Sequence, residues 1–307
     1  MTTLIAPAKL NLYLAVGPRR ADGYHTLSTV LVALDFGDTV TVEPAAALAL
    51  TCAPEVCAAP SDNLAWRAAV AMGDAFGRSP DFAIAIEKRV PAGAGLAGGS
   101  ADAAAVIAAI AAAWDVRRDD ARLETVAASL GADVPFFLRG GCGLYTGLGA
   151  THQRTLKLPR CHFAIINGAD AVSTAAAYAA FDALGRTAAP GARNVTDSIS
   201  MGDVPELGAS LFNNMTESSA GLVPAISEGL AFMSGAPGCL GAAMCGSGSA
   251  VFGMFATEDE AAAAVAGAEG RGWWAVRTAP RAGGTIDQTM GVVDDADQGR
   301  RRHPRRR

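Results

Sequence analysis

A glycine-rich stretch in the first third of the chain has the residue types of an anion-binding loop. The sequence Val90–Ala105, VPAGAGLAGGSADAAA, holds Gly93, Gly95, Gly98 and Gly99 and then runs into alanines. Because glycine lacks a Cβ, this backbone can turn sharply and bring its N–H groups close to a ligand. The alanine-rich run predicts a helix, whose free N–H groups and positive dipole end would attract an anion, most often phosphate.

Three ligand-binding interpretations compete for this loop. It lacks the Lys-Ser/Thr pair of a Walker A loop, which argues against a P-loop NTPase. Gly93, Gly95 and Gly98 match the G-x-G-x-x-G pattern of dinucleotide folds, which need a strand directly before the first glycine and another after the helix. Here Pro91 separates the predicted strand Phe82–Glu87 from the loop, and the polar sequence DVRRDDARLE follows the helix. The third interpretation is a kinase whose phosphate loop has the form P-x-G-x-G-L-x-G-G-S, whereas a purely structural helix cap would need only one glycine.

Three further side chains could take part in chemistry. The segment Leu4–Val16 alternates around its leucines and predicts a strand with one buried face. Lys9 and Asn11 lie two residues apart on the opposite face, so they project together. Asp133 stands directly before the apolar sequence VPFF, where a carboxylate is costly unless it is paired or used. The alternatives are a solvated lysine and a carboxylate that caps a helix.

Composition limits the class of protein. The chain has 307 residues, of which 50% are hydrophobic and 18% charged, so one large or two medium domains are expected. No uncharged apolar run reaches the roughly 18 residues of a membrane-spanning helix. The sequence enters a strand pattern at once, without a signal or transit segment, which predicts a cytoplasmic protein.

The charge distribution argues against nucleic-acid binding. The net charge is −5, and the tail sequence RRRHPRRR at residues 300–307 holds six of the 25 basic residues. Subtracting those six arginines leaves −11 for the rest of the chain, so its surface would repel phosphate backbones. We expect the tail to be solvated and disordered.

The six cysteines show no C-x-x-C pair and no matching histidine spacing. This pattern predicts thiols that are reduced and mostly buried, as in a reducing cytosol, rather than a disulfide framework or a zinc site.

Periodicity, caps and turn residues predict the elements that must position these side chains. The predicted strands are Leu4–Val16, Leu27–Leu34, Thr39–Glu43, Phe82–Glu87, His162–Asn167 and Trp273–Thr278, with strand pairs within Gly140–Gly149 and Met244–Phe255. The predicted helices are Leu64–Phe76, Ser100–Trp114, Asp119–Leu130, Ser173–Leu184 and Glu260–Gly270, with further helices near 219–233. Asp22 and Gly23 predict a hairpin turn, and the Gly/Pro/Ser-rich residues 185–205 predict a mobile loop.

Five segments together resemble one family. The sequences PAKLNLYL, DGYH, PAGAGLAGGSADAA, GADVPFFLRGG and CGSGSAVF occur in this order and are similar to segments of the GHMP kinases over about residues 4–280. The glycine loop is common to the superfamily, whereas PAKLNLYL, DGYH and LGADVPFF are more specific and resemble its non-mevalonate isoprenoid branch. The resemblance implies an α/β and α+β two-domain GHMP kinase fold with the active site in the interdomain cleft. Residues 1–155 and 156–290 would form the two domains, and 291–307 a disordered Arg-rich tail.

The resemblance also implies site residues. ATP, with Mg2+, would bind at Asn63 and Leu64 near the adenine and along the loop formed by Pro91, Ala92, Gly93, Ala94, Gly95, Leu96, Ala97, Gly98, Gly99 and Ser100. The catalytic pair would be Lys9 and Asp133, and the substrate contacts Asn11, Tyr24, His25, Thr174 and Tyr178, the last against a cytosine ring. The partner would be a small molecule, without nucleic acid or membrane, and the metal ligands and oligomeric state stay open.

The activity implied by the resemblance is phosphoryl transfer from ATP to the C2 hydroxyl of a cytidine diphosphate-linked methylerythritol. Asp133 would accept the hydroxyl proton, and Lys9 would keep Asp133 ionised and offset charge on the transferring group. A homoserine- or mevalonate-type kinase, a dinucleotide-binding oxidoreductase and a non-catalytic relative remain alternatives. Two residues depart from the family pattern: Ala97 replaces a common glycine, and Ala101 a common serine.

Overall fold

The structure is a computed structural model that describes residues 1–168, 171–185 and 187–285. Its strands are β1 (Thr2–Arg19), β2 (His25–Pro44), β3 (Ala49–Ala53), β4 (Phe82–Glu87), β5 (Cys142–Thr146), β6 (Thr151–Leu156), β7 (His162–Asn167), β8 (Phe212–Asn213), β9 (Cys239–Met244), β10 (Val251–Phe255) and β11 (Trp274–Thr278). Its helices are α1 (Leu64–Phe76), α2 (Gly98–Ala113), α3 (Ala121–Leu130), α4 (Val134–Arg139), α5 (Thr174–Leu184), α6 (Arg193–Met201), α7 (Val204–Ala209), α8 (Thr216–Leu222), α9 (Ala225–Ser234) and α10 (Glu258–Glu269). The predicted disorder beyond residue 290 lies outside the described residues.

The larger sheet contains the long hairpin β1–β2 at its centre. Its strand order is β3-β4-β2-β1-β8, and the hairpin β5–β6 pairs with β2. Most pairs are antiparallel, while β3–β4 and β1–β8 are parallel. The register of β1 on β2 shifts between Pro7 and Lys9. Such an irregularity bends a strand, here directly before the lysine.

The smaller sheet has the order β11-β7-β10-β9 and is antiparallel throughout the pairs described. Helices α9 and α10 pack on it. Met233 of α9, Ala264 of α10 and Phe255 of β10 share the core cluster between these layers, so the apolar faces of the helices and the sheet are buried against each other.

Strand β1 is buried on both faces, and the prediction of a single buried face was wrong. Helix α2 packs against this strand, while Leu10 and Leu12 belong to a core cluster that also contains Phe163 and Phe252 of the smaller sheet. The face that carries Lys9 and Asn11 is therefore enclosed too, with 5% and 4% of these residues exposed.

Helix α2 is buried along most of its length, from Ala101 to Ala111. Its alanines let α1, α4 and the larger sheet approach it closely, and no amphipathic pattern is needed because no side of it faces water. The helix begins at Gly98, two residues before the predicted start at Ser100.

The predicted mobile loop 185–205 was wrong for much of its length. Residues 193–201 form α6, which buries Val195 and Ile199 four residues apart, and Asp203 caps the following helix α7 through its side chain. The prediction of a loop relied on the Gly/Pro/Ser content of the segment and overlooked the helical spacing of Val195 and Ile199.

Other differences concern element boundaries. The predicted strands Leu27–Leu34 and Thr39–Glu43 form one strand, β2, and the hairpin predicted within Gly140–Gly149 extends to Leu156. The helices predicted near 219–233 are α8 and α9, which begin three residues earlier and end one residue later than that range. The short elements β3, β8, α4 and α7 were not predicted, because hydrophobic periodicity cannot be recognised over so few residues.

The described cysteines are all free, and three of the six are buried: Cys142, Cys161 and Cys245. The prediction of mostly buried thiols was therefore right for half of them. Within the described ranges, no helix is long and apolar enough to cross a membrane.

Candidate active site

A cavity of about 530 Å³ collects residues from the larger sheet, from the glycine loop and from the turn between β9 and β10 of the smaller sheet. Of the predicted site residues, those that line it are Lys9, Asn11, Asn63, Leu64, Pro91, Ala92, Gly93, Ala94, Gly95, Leu96, Ala97, Gly98, Gly99, Ser100, Asp133, Thr174 and Tyr178. Tyr24 and His25 are not among the lining residues. Unpredicted lining residues include Lys88, Asp102, Cys57, Met215 and the turn Gly246–Gly248.

The glycine loop takes a backbone shape that side chains would obstruct. Gly93 and Gly95 have positive φ angles of 68° and 79°, and a Cβ on Gly95 would lie 1.9 Å from the carbonyl oxygen of Cys245. The loop therefore packs directly against the turn between β9 and β10, and the Ala250 N–H donates to the Ala94 carbonyl over 3.3 Å.

The loop ends at the N-terminus of α2. The residue at the N-cap position is Ala97, whose φ of 57° lies in the left-handed region, and its side chain cannot cap the helix. Within the described residues, no N-cap side chain accepts from the first N–H groups of α2, and these residues border the cavity, which is the arrangement that binds anions at helix N-termini. Ala101, by contrast, is fully buried and does not line the cavity, so the common serine that it replaces would be placed in the core.

A chain of hydrogen bonds fixes Lys9 at the cavity. The Lys9 Nζ donates to the Asn11 Oδ1 over 2.7 Å, and the Asn11 Nδ2 donates to the Thr29 Oγ1 over 2.8 Å. The Thr29 hydroxyl in turn donates to the Tyr13 carbonyl over 2.7 Å. The backbone N–H of Lys9 donates to the Leu96 carbonyl over 3.2 Å, so β1 also holds the glycine loop.

Asp133 occupies the N-cap position of α4, but its side chain does not cap that helix in the part of the chain that the structure describes. The residue is half-buried and lines the cavity. Burial, with a smaller contribution from the charge of Asp133, raises the pKa of the Tyr178 hydroxyl to about 12. Lys9 and Asp133 line the same cavity, and no direct ion pair joins them among the described residues.

His25 lies behind Tyr178. The two rings are 5.2 Å apart between centroids and tilted by 35°. The His25 Nδ1 is 2.8 Å from the Gly17 carbonyl oxygen, and its Nε2 is 3.2 Å from the Asp182 carboxylate. These contacts fix the imidazole and, through it, the face of Tyr178 that borders the cavity. Tyr24 is 64% exposed and lies outside the lining.

The turn between β9 and β10 closes another side of the cavity. The Asn213 Nδ2 donates to the carbonyls of Met244 and Gly246, over 2.9 and 2.8 Å. The hydroxyls of Thr174 and Ser247 lie 3.2 Å apart. The sequence GSGS predicted the turn. Asn213, which holds the turn by these hydrogen bonds, lies in a two-residue strand that the sequence pattern did not predict.

A buried charge cluster, also not predicted, lies beside the glycine loop. The Lys88 ammonium donates to the carboxylates of Asp38 and Asp102, the latter over 2.8 Å. The Asp38 Oδ1 accepts from the backbone N–H groups of Arg89 and Val90, over 2.6 and 2.8 Å. The cluster thus links β2, the segment that enters the loop, and the helix that leaves it. In the sequence, the cluster was indicated only by Asp102, a single charged residue within an alanine-rich stretch.

Comparisons with known proteins agree with this arrangement. The model of the GHMP kinases N terminal domain matches residues 63–141, and that of the GHMP kinases C terminal domain matches residues 189–271. A relative from Mycolicibacterium paratuberculosis named 4-diphosphocytidyl-2-C-methyl-D-erythritol kinase is 38% identical over 291 residues, 92% of this chain and 91% of its own length. A relative of the same name from Mycolicibacterium gilvum is 42% identical over 237 residues, 73% of each chain.

Solved structures give the same result. A crystal structure of 4-(cytidine 5'-diphospho)-2C-methyl-D-erythritol kinase matches with a TM-score of 0.77 and 33% identity, covering 91% of this chain and 99% of that one. A homoserine kinase from Cytophaga hutchinsonii matches with a TM-score of 0.69 at 16% identity, over 93% of this chain and 96% of its own, which shows the fold alone. The chain therefore belongs to the GHMP kinases and, within them, to the family of its relatives named 4-diphosphocytidyl-2-C-methyl-D-erythritol kinase.

Proposed function

We propose that this protein transfers the γ-phosphoryl group of ATP to the C2 hydroxyl of 4-diphosphocytidyl-2-C-methyl-D-erythritol, a step in isoprenoid precursor biosynthesis by the non-mevalonate pathway. The observation that carries the proposal is that Lys9 and Asp133, from distant parts of the chain, line one cavity with the glycine loop. The names of relatives that share most of the chain support the choice of substrate.

The phosphates of ATP would bind to the N–H groups of the loop and of the first turn of α2, where the helix dipole favours negative charge. Asn63 and Leu64 stand at the start of α1 and border the same cavity, which supports their proposed contact with the adenine end of the nucleotide. The Asn63 side chain accepts from the Ala65 N–H over 2.9 Å, so the start of α1 is held firmly.

Asp133 is suited to be the proton acceptor. Its carboxylate is not used in capping α4, and the residue lines the cavity in which we propose that the substrate binds. The C2 oxygen would attack the γ-phosphorus, the bond to the bridging oxygen would break, and the proton would pass to Asp133 while ADP leaves. The fixed ammonium of Lys9 would stabilise negative charge on the transferring group.

The acceptor would lie on the side of the cavity formed by α5. Tyr178 offers an aromatic face against which a cytosine ring can stack, and Thr174 offers a hydroxyl four residues before it on the same helix. His25 would act by orienting Tyr178. Tyr24, which is largely exposed outside the cavity, would need to move in order to contact the substrate.

Mg2+ is expected to accompany ATP, where it neutralises phosphate charge. The described residues contain no group of three or more His, Cys, Asp or Glu side chains that could hold a metal ion. We therefore assign the ion to the phosphates of the nucleotide and name no protein ligand for it. We further propose a cytoplasmic location and the division of the chain near residue 155 into two domains.

The test is ADP release by the purified protein with ATP and Mg2+. Diphosphocytidyl methylerythritol, homoserine, mevalonate and galactose are supplied separately, and we expect release with the first alone. Release with another acceptor would keep the kinase and overturn the substrate. Binding of NAD(H) without binding of ATP would overturn the kinase.

The base assignment is tested with Asp133→Asn. We expect ATP affinity to stay within a few-fold and turnover to fall by at least about 10²-fold. Asp119→Asn, in an exposed carboxylate paired with Arg117, is the matched control and should leave both quantities unchanged. Near-normal turnover of Asp133→Asn would show that another group accepts the proton.

A further inference from the structure

The cluster Asp38–Lys88–Asp102 leaves one buried charge unbalanced. Two carboxylates share a single ammonium, and all three side chains are at most 7% exposed. Asp38 is well satisfied, because its Oδ1 accepts two backbone N–H groups and its Oδ2 accepts from Lys88. Asp102 is bound by Lys88 through Oδ2 alone, and its Oδ1 is buried without a hydrogen-bond partner in the described part of the chain. The cluster is therefore short of one proton or cation.

The missing charge favours a proton on Asp102. Burial raises the pKa of this carboxyl to about 7; Lys88 opposes the rise and Asp38 adds to it. Lys88 follows β4 and Asp38 lies in β2, and Cys52 of β3 is a neutral neighbour whose own pKa is raised by burial. Asp102 is thus the group of the cluster that can change its protonation state near neutral pH.

The cluster also lies against the phosphate loop. Asp102 is in the first turns of α2, whose N-terminus ends the loop, and Asp102 and Lys88 both line the cavity beside Gly98 and Gly99. Negative charge brought to the loop would act on Asp102 across a buried, weakly screened region, and a like charge disfavours the carboxylate.

We propose that binding of the nucleotide phosphates to the glycine loop is coupled to uptake of one proton by Asp102. The inference rests on the proposed function only in that the loop binds a nucleotide. The proton comes from solvent and converts the Asp102 carboxylate to the neutral acid, while Lys88 remains paired with Asp38. The cluster then becomes neutral as the phosphates arrive, and the loop and the start of α2 stay in place.

Because the bound state holds more protons than the free state, ATP affinity falls as the pH rises through the range in which free Asp102 loses its proton. For one proton, the fall is at most about tenfold per pH unit. Asp102→Asn keeps the shape of the side chain, cannot titrate and should show a flatter profile.

The experiment is isothermal titration calorimetry of the full chain with MgATP at pH 7.0 in PIPES, HEPES and Tris, whose ionisation enthalpies differ. The slope of the observed enthalpy against buffer ionisation enthalpy counts the protons taken up. We expect the wild-type slope to exceed that of Asp102→Asn by a sizeable fraction of one proton. The comparison cancels the protons exchanged by the nucleotide itself, and Asp119→Asn should match the wild type.

Each outcome decides one point. Binding with equal slopes in wild type and Asp102→Asn would overturn the coupling and leave the kinase assignment intact. Absence of ATP binding to the wild type would overturn the proposed function, and the coupling with it. If Asp102→Asn does not fold, the ADP affinity of the wild type is measured by calorimetry between pH 5.5 and 8.5. A fall in affinity with rising pH that is no steeper than titration of the nucleotide itself accounts for would overturn the proposal.

Discussion

The ammonium of Lys9 is bound to the amide oxygen of Asn11, 2.7 Å away, and not to the carboxylate of Asp133. The Asn11 Nδ2 donates to the Thr29 hydroxyl, so both the oxygen and the nitrogen of this amide are already hydrogen-bonded without substrate. The resemblance to GHMP kinases implies that Asn11 contacts the substrate, whereas the structure gives it a role in positioning Lys9. The two roles can be separated by mutation.

Asn11→Ala should reduce turnover by about 10- to 100-fold, because a hydrogen bond to a charged group contributes about 1.5–3 kcal/mol and its loss frees the ammonium. If Asn11 acts through Lys9, the KM for the acceptor should change little. Thr29→Val keeps the bond to Lys9 and removes only the anchor behind it, so a smaller loss is expected. Steady-state kinetics measures both, and a rise in KM alone would favour direct substrate contact.

Tyr178→Ala should raise the KM for a cytidine-containing acceptor by about 10- to 100-fold, because stacking of a base on an aromatic ring contributes about 1–3 kcal/mol. Tyr178→Phe keeps the ring and should bind the acceptor nearly as well as the wild type. Equal losses in the two variants would instead assign the effect to the hydroxyl, whose pKa is raised by burial and by Asp133.

Ala97→Gly should leave the free energy of unfolding unchanged or raise it by up to about 1.5 kcal/mol. Alanine in the left-handed region at φ 57° is strained by about 1–2 kcal/mol, which glycine relieves at a cost of about 0.4–1 kcal/mol in unfolded-state entropy. Ala94→Gly is the control in the same loop: Ala94 is buried without a positive φ, so its replacement should destabilise. Urea unfolding compares them, and a clear loss for Ala97→Gly would show that the methyl group has a packing role.

The positions of these residues were predictable to different degrees. The alternation of β1 was enough to place Lys9 and Asn11 side by side, because strand geometry is local. The charge cluster was not predictable, since Asp38, Lys88 and Asp102 come from three segments that only the tertiary structure unites.

The same limit explains two further differences. The burial of both faces of β1 depends on a second sheet that local periodicity cannot show. His25 lies next to Tyr24 in sequence, yet it packs behind the ring of Tyr178 while Tyr24 stays exposed, because strand β2 begins between them.

Gly140→Ala should destabilise the protein and lower its turnover together. Gly140 ends α4, the helix that follows Asp133, and has a φ of 66°. A Cβ there would lie 2.0 Å from the carbonyl oxygen of Gly283, in a segment also tied to α4 by the hydrogen bond from the Thr285 hydroxyl to the Phe137 carbonyl. Backbone strain of about 1–3 kcal/mol, at a combination of φ 66° and ψ −159° that is essentially restricted to glycine, and overpacking of about 1–3 kcal/mol should add.

Gly141→Ala separates the effect of backbone strain from that of overpacking. Gly141 has nearly the same φ, 69°, but the nearest atom to its Cβ position is 4.0 Å away. It should therefore show the strain alone, with turnover close to the wild type. Thermal unfolding and ADP release measure the pair, and equal effects would show that the Gly283 contact does not help to hold α4.

The stability of the protein should fall as the pH rises through neutrality, in part because of Asp102. The pKa of this carboxyl is raised from 3.8 to about 7 on folding, so the folded state binds more protons than the unfolded state between these values. The contribution is fully present below pH 3.8 and is lost as the pH rises through about 7. It amounts to a few kcal/mol at about 1.4 kcal/mol per pKa unit.

Asp102→Asn removes this contribution and leaves Lys88 paired one-to-one with Asp38. In urea unfolding at pH 5 and pH 8, the wild type should lose more stability than the variant over that interval, and the variant should be the more stable protein at pH 8. Asp120→Asn is the control, because hydrogen bonds to Arg122 lower the pKa of Asp120 to about 2 and keep it ionised over the whole interval. Parallel pH profiles for the wild type and Asp102→Asn would show that Asp102 is already ionised at pH 5, with its buried Oδ1 stabilised by some other group.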